Sequence, residues 1–147
     1  MNKGTLLGIW AREEWGGEMR LLDSASLTAG KGMAEDVSFG SRRQVTIIEE
    51  DVWNSVMAQL KSDLPPQTRR ANLMVSGIKL KETRGKILNI GECRIEILGE
   101  SAPCASMDKK LPGLKDALKP DWNGGAFGSV LDGGKINIGD KVYWEET

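Results

Sequence analysis

Histidine does not occur in this chain of 147 residues. Its absence excludes a Ser-His-Asp triad, a Cys-His dyad and any histidine-ligated metal site. Any enzymatic chemistry then falls to a thiolate, a carboxylate, Lys or Arg, the single Tyr, or a bound cofactor. Cysteine is scarce. Cys93 and Cys104 are the only two, which suits a reducing compartment better than a disulfide scaffold. No stretch approaches the roughly 18 apolar residues of a membrane span. The opening run Leu6-Leu7-Gly8-Ile9-Trp10 is too short for the core of a signal peptide, and no small-residue cleavage site follows it. A cytoplasmic protein without membrane association is therefore expected. An excess of positive charge is missing too: 20 Lys and Arg stand against 21 Asp and Glu. That balance gives no general field for holding nucleic acid.

What is present is a globular composition, 39% hydrophobic and 28% charged, of a length expected to form a single domain over residues 1–147. Glycines punctuate short β-like runs. Residues 5–10 and 18–23 read as strands joined by a turn at Glu13-Glu14-Trp15-Gly16-Gly17. Residues 24–40, rich in Gly, Ser and Ala, read as loop. Gln44 to Ile48 is a β-branched strand. Glu49 to Lys61 carries Trp53, Val56, Met57 and Leu60 at helical spacing, with acidic residues in its first turn where the helix dipole favours them. Pro65-Pro66 ends it. Residues 72–80 and 86–98 read as strands, the second placing Cys93, Ile95 and Ile97 on one face. Leu111 to Lys119 reads as a short helix stopped at Pro120. Asp132-Gly133-Gly134 predicts a hairpin between Val130-Leu131 and Lys135 to Ile138, and Val142 to Trp144 gives the last strand. Many short strands with few helices predict a mainly β fold, a barrel or a sandwich.

The order of several segments resembles the MOSC family, named for the C-terminal domain of molybdenum cofactor sulfurase. The segments are Gly8-Ile9-Trp10, Ala29-Gly30-Lys31-Gly32, Arg43 to Ile48, Arg69-Arg70-Ala71-Asn72-Leu73, Gly85 to Gly91, Ala102-Pro103-Cys104, Gly124 to Val130, and Gly133 to Val142. None is specific alone; together and in order they span nearly the whole chain. The resemblance implies a MOSC-type β-barrel with one or two short helices, and molybdenum cofactor as the bound group.

On that basis Cys104 is the central candidate, both as catalytic residue and as the ligand to molybdenum. It follows Pro103 and precedes small, polar Ala105-Ser106, which suits a loop at the end of a strand. A thiolate there can bind a soft metal or carry a persulfide. Cys93, on an apolar strand face, reads as a core residue. Arg70 and Asn72 match the family's Arg-x-Asn pattern: an arginine grips phosphate with two hydrogen bonds, and an asparagine both donates and accepts at pterin edges. Arg43 and Lys31 are further cofactor-binding candidates that can complete a positive pocket, with Arg42 beside them. Trp15 and Trp122 sit in polar loops and can line a ligand site or an interface. Asp121 and Asp140 are candidate proton handlers, although their glycine and asparagine neighbours favour turn residues. The resemblance implies an oxidoreductase acting on small N-hydroxylated compounds, with electrons from a separate protein, since no flavin or iron–sulfur motif occurs. Alternatives are a sulfur carrier using a Cys104 persulfide from a sulfur-donor protein, and a non-catalytic cofactor carrier.

Overall fold

The computed structural model describes residues 3–146. Strand β1 (Lys3–Ala11) opens the chain. It is followed by the short strands β2 (Arg20–Leu21), β3 (Ser24–Thr28) and β4 (Gly32–Met33). Next come β5 (Val45–Glu49), helix α1 (Glu50–Gln59), a 3-10 turn over Pro66–Arg69, and β6 (Leu73–Ser76). The hairpin β7 (Ile87–Ile90) and β8 (Cys93–Glu100) leads to helices α2 (Met107–Lys110) and α3 (Leu114–Leu118). Strands β9 (Ala126–Asp132), β10 (Gly134–Asn137) and β11 (Lys141–Trp144) complete it.

Seven strands close into a barrel in the order β1, β6, β5, β9, β8, β7, β11, with β11 pairing back onto β1. Closure satisfies edges that would otherwise present unpaired backbone. All pairs are antiparallel except β5 with β6, and α1 is the crossover that a parallel pair requires. Alternation drives the packing. In β8, Cys93, Ile95 and Ile97 are fully buried while Arg94 and Glu96 lie between them on the other face. With Leu6, Ile9, Ile47, Leu73, Val75, Leu88, Ile90 and Val142 they fill the barrel interior. Each such side chain contributes about 1.5–3 kcal/mol by leaving water.

A second cluster lies outside the barrel. Trp53, Val56 and Met57 of α1 meet Met107 of α2 and Leu114 and Leu118 of α3. The helical spacing read from the sequence is the face that makes this contact. Through Met107 the cluster anchors the segment just after Cys104.

Three readings from the sequence are corrected. Residues 24–40 are not all loop. In Ser24–Thr28, Ala25 and Leu27 alternate inward, and β3 joins β4 and β10 in a small three-stranded sheet; small residues conceal the alternation. The apolar run 86–98 is two strands, turned at Gly91-Glu92 into the β7–β8 hairpin. Asp132-Gly133-Gly134 does not make a hairpin, since β10 pairs with β3 rather than with β9. A Cβ on Gly133 would lie 2.4 Å from the Leu27 carbonyl, so these glycines serve close passage against β3. Among the described residues no helix is long and apolar enough to cross a membrane.

Candidate functional site

Four segments distant in sequence meet at one cavity of about 290 Å³. Arg12 and Trp15 come from the end of β1 and the turn after it. Ser38 and Arg43 come from the approach to β5, and Thr46 from β5 itself. Arg69, Arg70, Ala71 and Asn72 come from the 3-10 turn leading into β6. Ser101, Ala102, Cys104, Ser106 and Met107 come from the link between β8 and α2. Four of these residues are arginines and none is a carboxylate.

Neutral groups make the side-chain contacts of the four arginines; one carboxylate stands nearby, that of buried Asp36, which accepts from the Arg12 backbone N–H at 2.9 Å and acts through space on Arg70. Arg12 lies 4.9 Å from the centre of the Trp15 ring, and Arg43 4.9 Å from that of Phe127; both are cation–π contacts. Arg70 donates from Nη2 to the Gly17 carbonyl at 2.6 Å. Arg69 is buried and donates from Nε to the Gly124 carbonyl at 3.1 Å, and from Nη2 to the carbonyl and hydroxyl of Ser101 at 2.6 and 3.3 Å. Among the described residues none of the four has a carboxylate partner within salt-bridge distance. The Nε of Arg12 is buried with no hydrogen-bond partner among the described residues, an unsatisfied donor that a bound anion would complete. Burial lowers the pKa of Arg69 and of Arg70, with neighbouring Arg43 and Arg12 adding to the effect. An arginine so perturbed remains charged at neutral pH.

Cys104 is exposed, on the link that α2 fixes through buried Met107. Its Sγ lies 2.7 Å from Ser106 Oγ. Hydrogen bonds from the Ser106 hydroxyl and backbone N–H lower its pKa from the ordinary 9.0. Burial opposes them, and the nearby Arg69 charge adds to them. Cys93 is its opposite: buried, with its pKa pushed up to about 11 by desolvation and by Glu92. One thiol per native chain is therefore expected to alkylate near neutral pH, and two in denaturant. A folded pKa below the ordinary value means that the rate against pH rises through a midpoint under 9.0. Ser106→Ala is expected to move that midpoint upward; an unmoved midpoint would remove Ser106 from the account.

Cys104, Arg70, Asn72 and Arg43 line the cavity, and so does Trp15, 64% exposed at its mouth. Lys31 does not. It sits exposed in the turn between β3 and β4. Asn72 touches the cavity, but its amide is engaged by the scaffold. Oδ1 accepts from the backbone N–H and hydroxyl of Thr46, and Nδ2 donates to the Trp10 carbonyl at 3.2 Å. It therefore pins β1 and β5 to either side of β6. Trp122 packs against the barrel core. Asp121 pairs with Lys81, and Asp140 accepts from the Asn137 backbone in a turn. Sequence reasoning does not single out Arg12, Arg69 or Ser106 as site residues. The Arg-x-Asn pattern points to Arg70 and past its neighbour, and Arg12 falls between the strand and the turn read from the sequence.

Among the described residues no group of three His, Cys, Asp or Glu can hold a metal ion. A metal at Cys104 would therefore have to bring most of its own ligands. Among solved structures, the YuaD protein from Bacillus subtilis superposes with a TM-score of 0.82 at 19% identity, covering 99% of this chain and 97% of that one. YiiM from Escherichia coli gives 0.73 at 15% identity over 97% and 70%. YiiM from Geobacillus stearothermophilus gives 0.78 at 14% over 97% and 75%. At these identities the likeness is one of fold. No curated protein sequence matches. The pattern of the MOSC domain matches residues 34–143, which takes in β5, both arginines before β6 and the Cys104 link, and so this chain belongs to the MOSC domain family.

Proposed function

We propose that the Cys104 cavity binds molybdenum cofactor and that the protein is an oxidoreductase reducing small N-hydroxylated compounds. The family is associated with this cofactor, a pterin carrying an anionic phosphate. The observation that carries the reading is the convergence of four guanidiniums, none in an ion pair among the described residues, on the cavity that also holds an exposed, acidified thiol. The residues fit the group. The orphaned Arg12 Nε and the guanidinium of Arg70 suit a phosphate. Cys104 is a soft donor for molybdenum. At about 290 Å³ the cavity is near the lower end of the roughly 300–1,000 Å³ typical of small-molecule sites.

When bound, the cofactor supplies a metal that changes oxidation state and transfers an oxygen atom. This chain's own residues do the rest. Arg12, Arg43 and Arg70 hold the anionic end. Ser106, by its hydrogen bonds, and Arg69, by its charge, favour the thiolate form of Cys104. Trp15 narrows the mouth and limits water. A separate protein supplies the electrons.

The test is expression in a host that accumulates the cofactor, anaerobic purification, and assay of molybdenum, pterin and cyanide-releasable sulfur on one sample. Molybdenum and pterin rising together to near one per chain is expected. Neither present, with releasable sulfur on Cys104 instead, would replace this reading by persulfide transfer. Loaded protein that fails to reduce an N-hydroxylated substrate with a chemical reductant would leave a cofactor carrier.

A further inference from the structure

Arg43 lines not one cavity but two. On its other side is a groove of about 300 Å³ bounded by Arg42, Arg43, Arg84, Leu98, Gly99, Glu100 and Phe127. Three features set it apart from ordinary charged surface. Arg42, Arg43 and Arg84 make no ion pair among the described residues, although Glu100 stands on the same rim. The pairing of β8 with β9 shifts register between Ile97 and Gly99, and bulges of this kind re-aim side chains beside binding sites. Gly99 lies at that bulge. A Cβ there would come within 3.3 Å of the Phe127 ring and 3.4 Å of the Arg84 guanidinium, so the missing side chain keeps the groove open beneath Arg84. Phe127 in turn holds Arg43 in place between the two cavities.

We propose that this groove is a second anion subsite, and that together with the Cys104 cavity it takes a diphosphate-bearing ligand bridged by Arg43. A diphosphate presents two anionic centres a few ångströms apart. A guanidinium shared by adjoining cavities grips both, with Arg84 and Arg42 completing the outer one. The concave groove suits a compact anion, and Glu100 on its rim disfavours a broad acidic surface. The two cavities carry the subsite whatever metal group the inner one takes.

The probe is inorganic pyrophosphate against orthophosphate, titrated calorimetrically into the cofactor-free full chain at fixed salt. Wild type is expected to bind pyrophosphate about tenfold tighter than orthophosphate. Arg84→Ala is expected to remove that preference while leaving orthophosphate affinity unchanged, and Arg43→Ala to weaken both ligands. Lys135→Ala, which removes an exposed charge on β10, serves as a control and is expected to change neither. A preference that survives in Arg84→Ala would overturn the subsite. So would a loss in Lys135→Ala equal to that in Arg84→Ala, since the preference would then be general electrostatic attraction. Orthophosphate binding that depends on Arg70 bears only on the inner cavity, so the two readings fail separately.

Discussion

Replacing Arg69 with methionine is expected to destabilise the fold by about 3 kcal/mol and, for a chain of this size, to lower Tm by about 10 °C. The side chain is buried and gives three hydrogen bonds, to the Gly124 carbonyl and to the carbonyl and hydroxyl of Ser101. Methionine fills the volume of the aliphatic stem but leaves those acceptors unpaired, and it is the unpaired buried group that is costly. Arg69 ties the 3-10 turn before β6 to the segments that end β8 and begin β9. Its loss loosens two walls of the site at once, the turn before β6 and the Ser101 segment. The second consequence is chemical. The Arg69 charge helps to lower the Cys104 pKa, so the midpoint of thiol alkylation against pH is expected to rise in the same variant. Urea denaturation and the alkylation profile, measured on one preparation, check both. Wild-type stability combined with a raised midpoint would show that Arg69 acts on the thiol without holding the fold.

The other large effect is expected at Gly125. Its φ is +95°, where a side chain is strained, and a Cβ would stand 2.1 Å from the Ile47 carbonyl in β5. Backbone there cannot move aside without breaking the β5–β9 pairing of Ile47 with Ala126. Gly125→Ala is expected to cost about 3 kcal/mol or more, adding a clash to the penalty for a left-handed conformation. Gly30 provides the control. It also has positive φ, +73°, but no atom lies within 4 Å of its would-be Cβ. Gly30→Ala is expected to cost only about 1 kcal/mol, the conformational part alone. Thermal unfolding of the two variants side by side separates strain from collision; equal losses would mean that Gly125 is not the tight passage described.

Local patterns imposed by burial on one face are readable in the sequence. Alternation in Cys93 to Ile97 and helical spacing in Trp53 to Leu60 both appear as read. The placement of Cys104 at the end of a strand is legible for a related reason: Pro103 and the small residues after it suit neither strand nor core. The partners of Cys104 are not legible. Arg69 becomes a buried anchor only because Ser101 and Gly124 come from the far side of the chain to meet it, and nothing in Arg69-Arg70 distinguishes the residue turned inward from the one turned toward the cavity. Asn72 shows the converse. Its type and position suit a pterin edge, yet Thr46 and Trp10 engage its amide, a contact set by barrel closure. Lys31, whose charge in a glycine-rich loop suits the completion of a positive pocket, lies outside the cavity. Strand β3 is hidden because Ser24, Ala25 and Ser26 are small enough to read as turn, although Ala25 is buried.

In the function proposed above, Cys104 is the protein's ligand to a cofactor-borne metal held by surrounding arginines. The most direct measurement is molybdenum per chain in wild type and Cys104→Ser, purified anaerobically from the same cofactor-accumulating host. Cys104 is exposed and its sulfur touches only Ser106 within hydrogen-bond distance among the described residues, so the variant is expected to fold as wild type, and matching thermal unfolding verifies that. Near-stoichiometric molybdenum is expected in wild type and its loss in Cys104→Ser. Equal molybdenum in both folded proteins would contradict it, because the metal would then be held without the thiolate that the cavity offers.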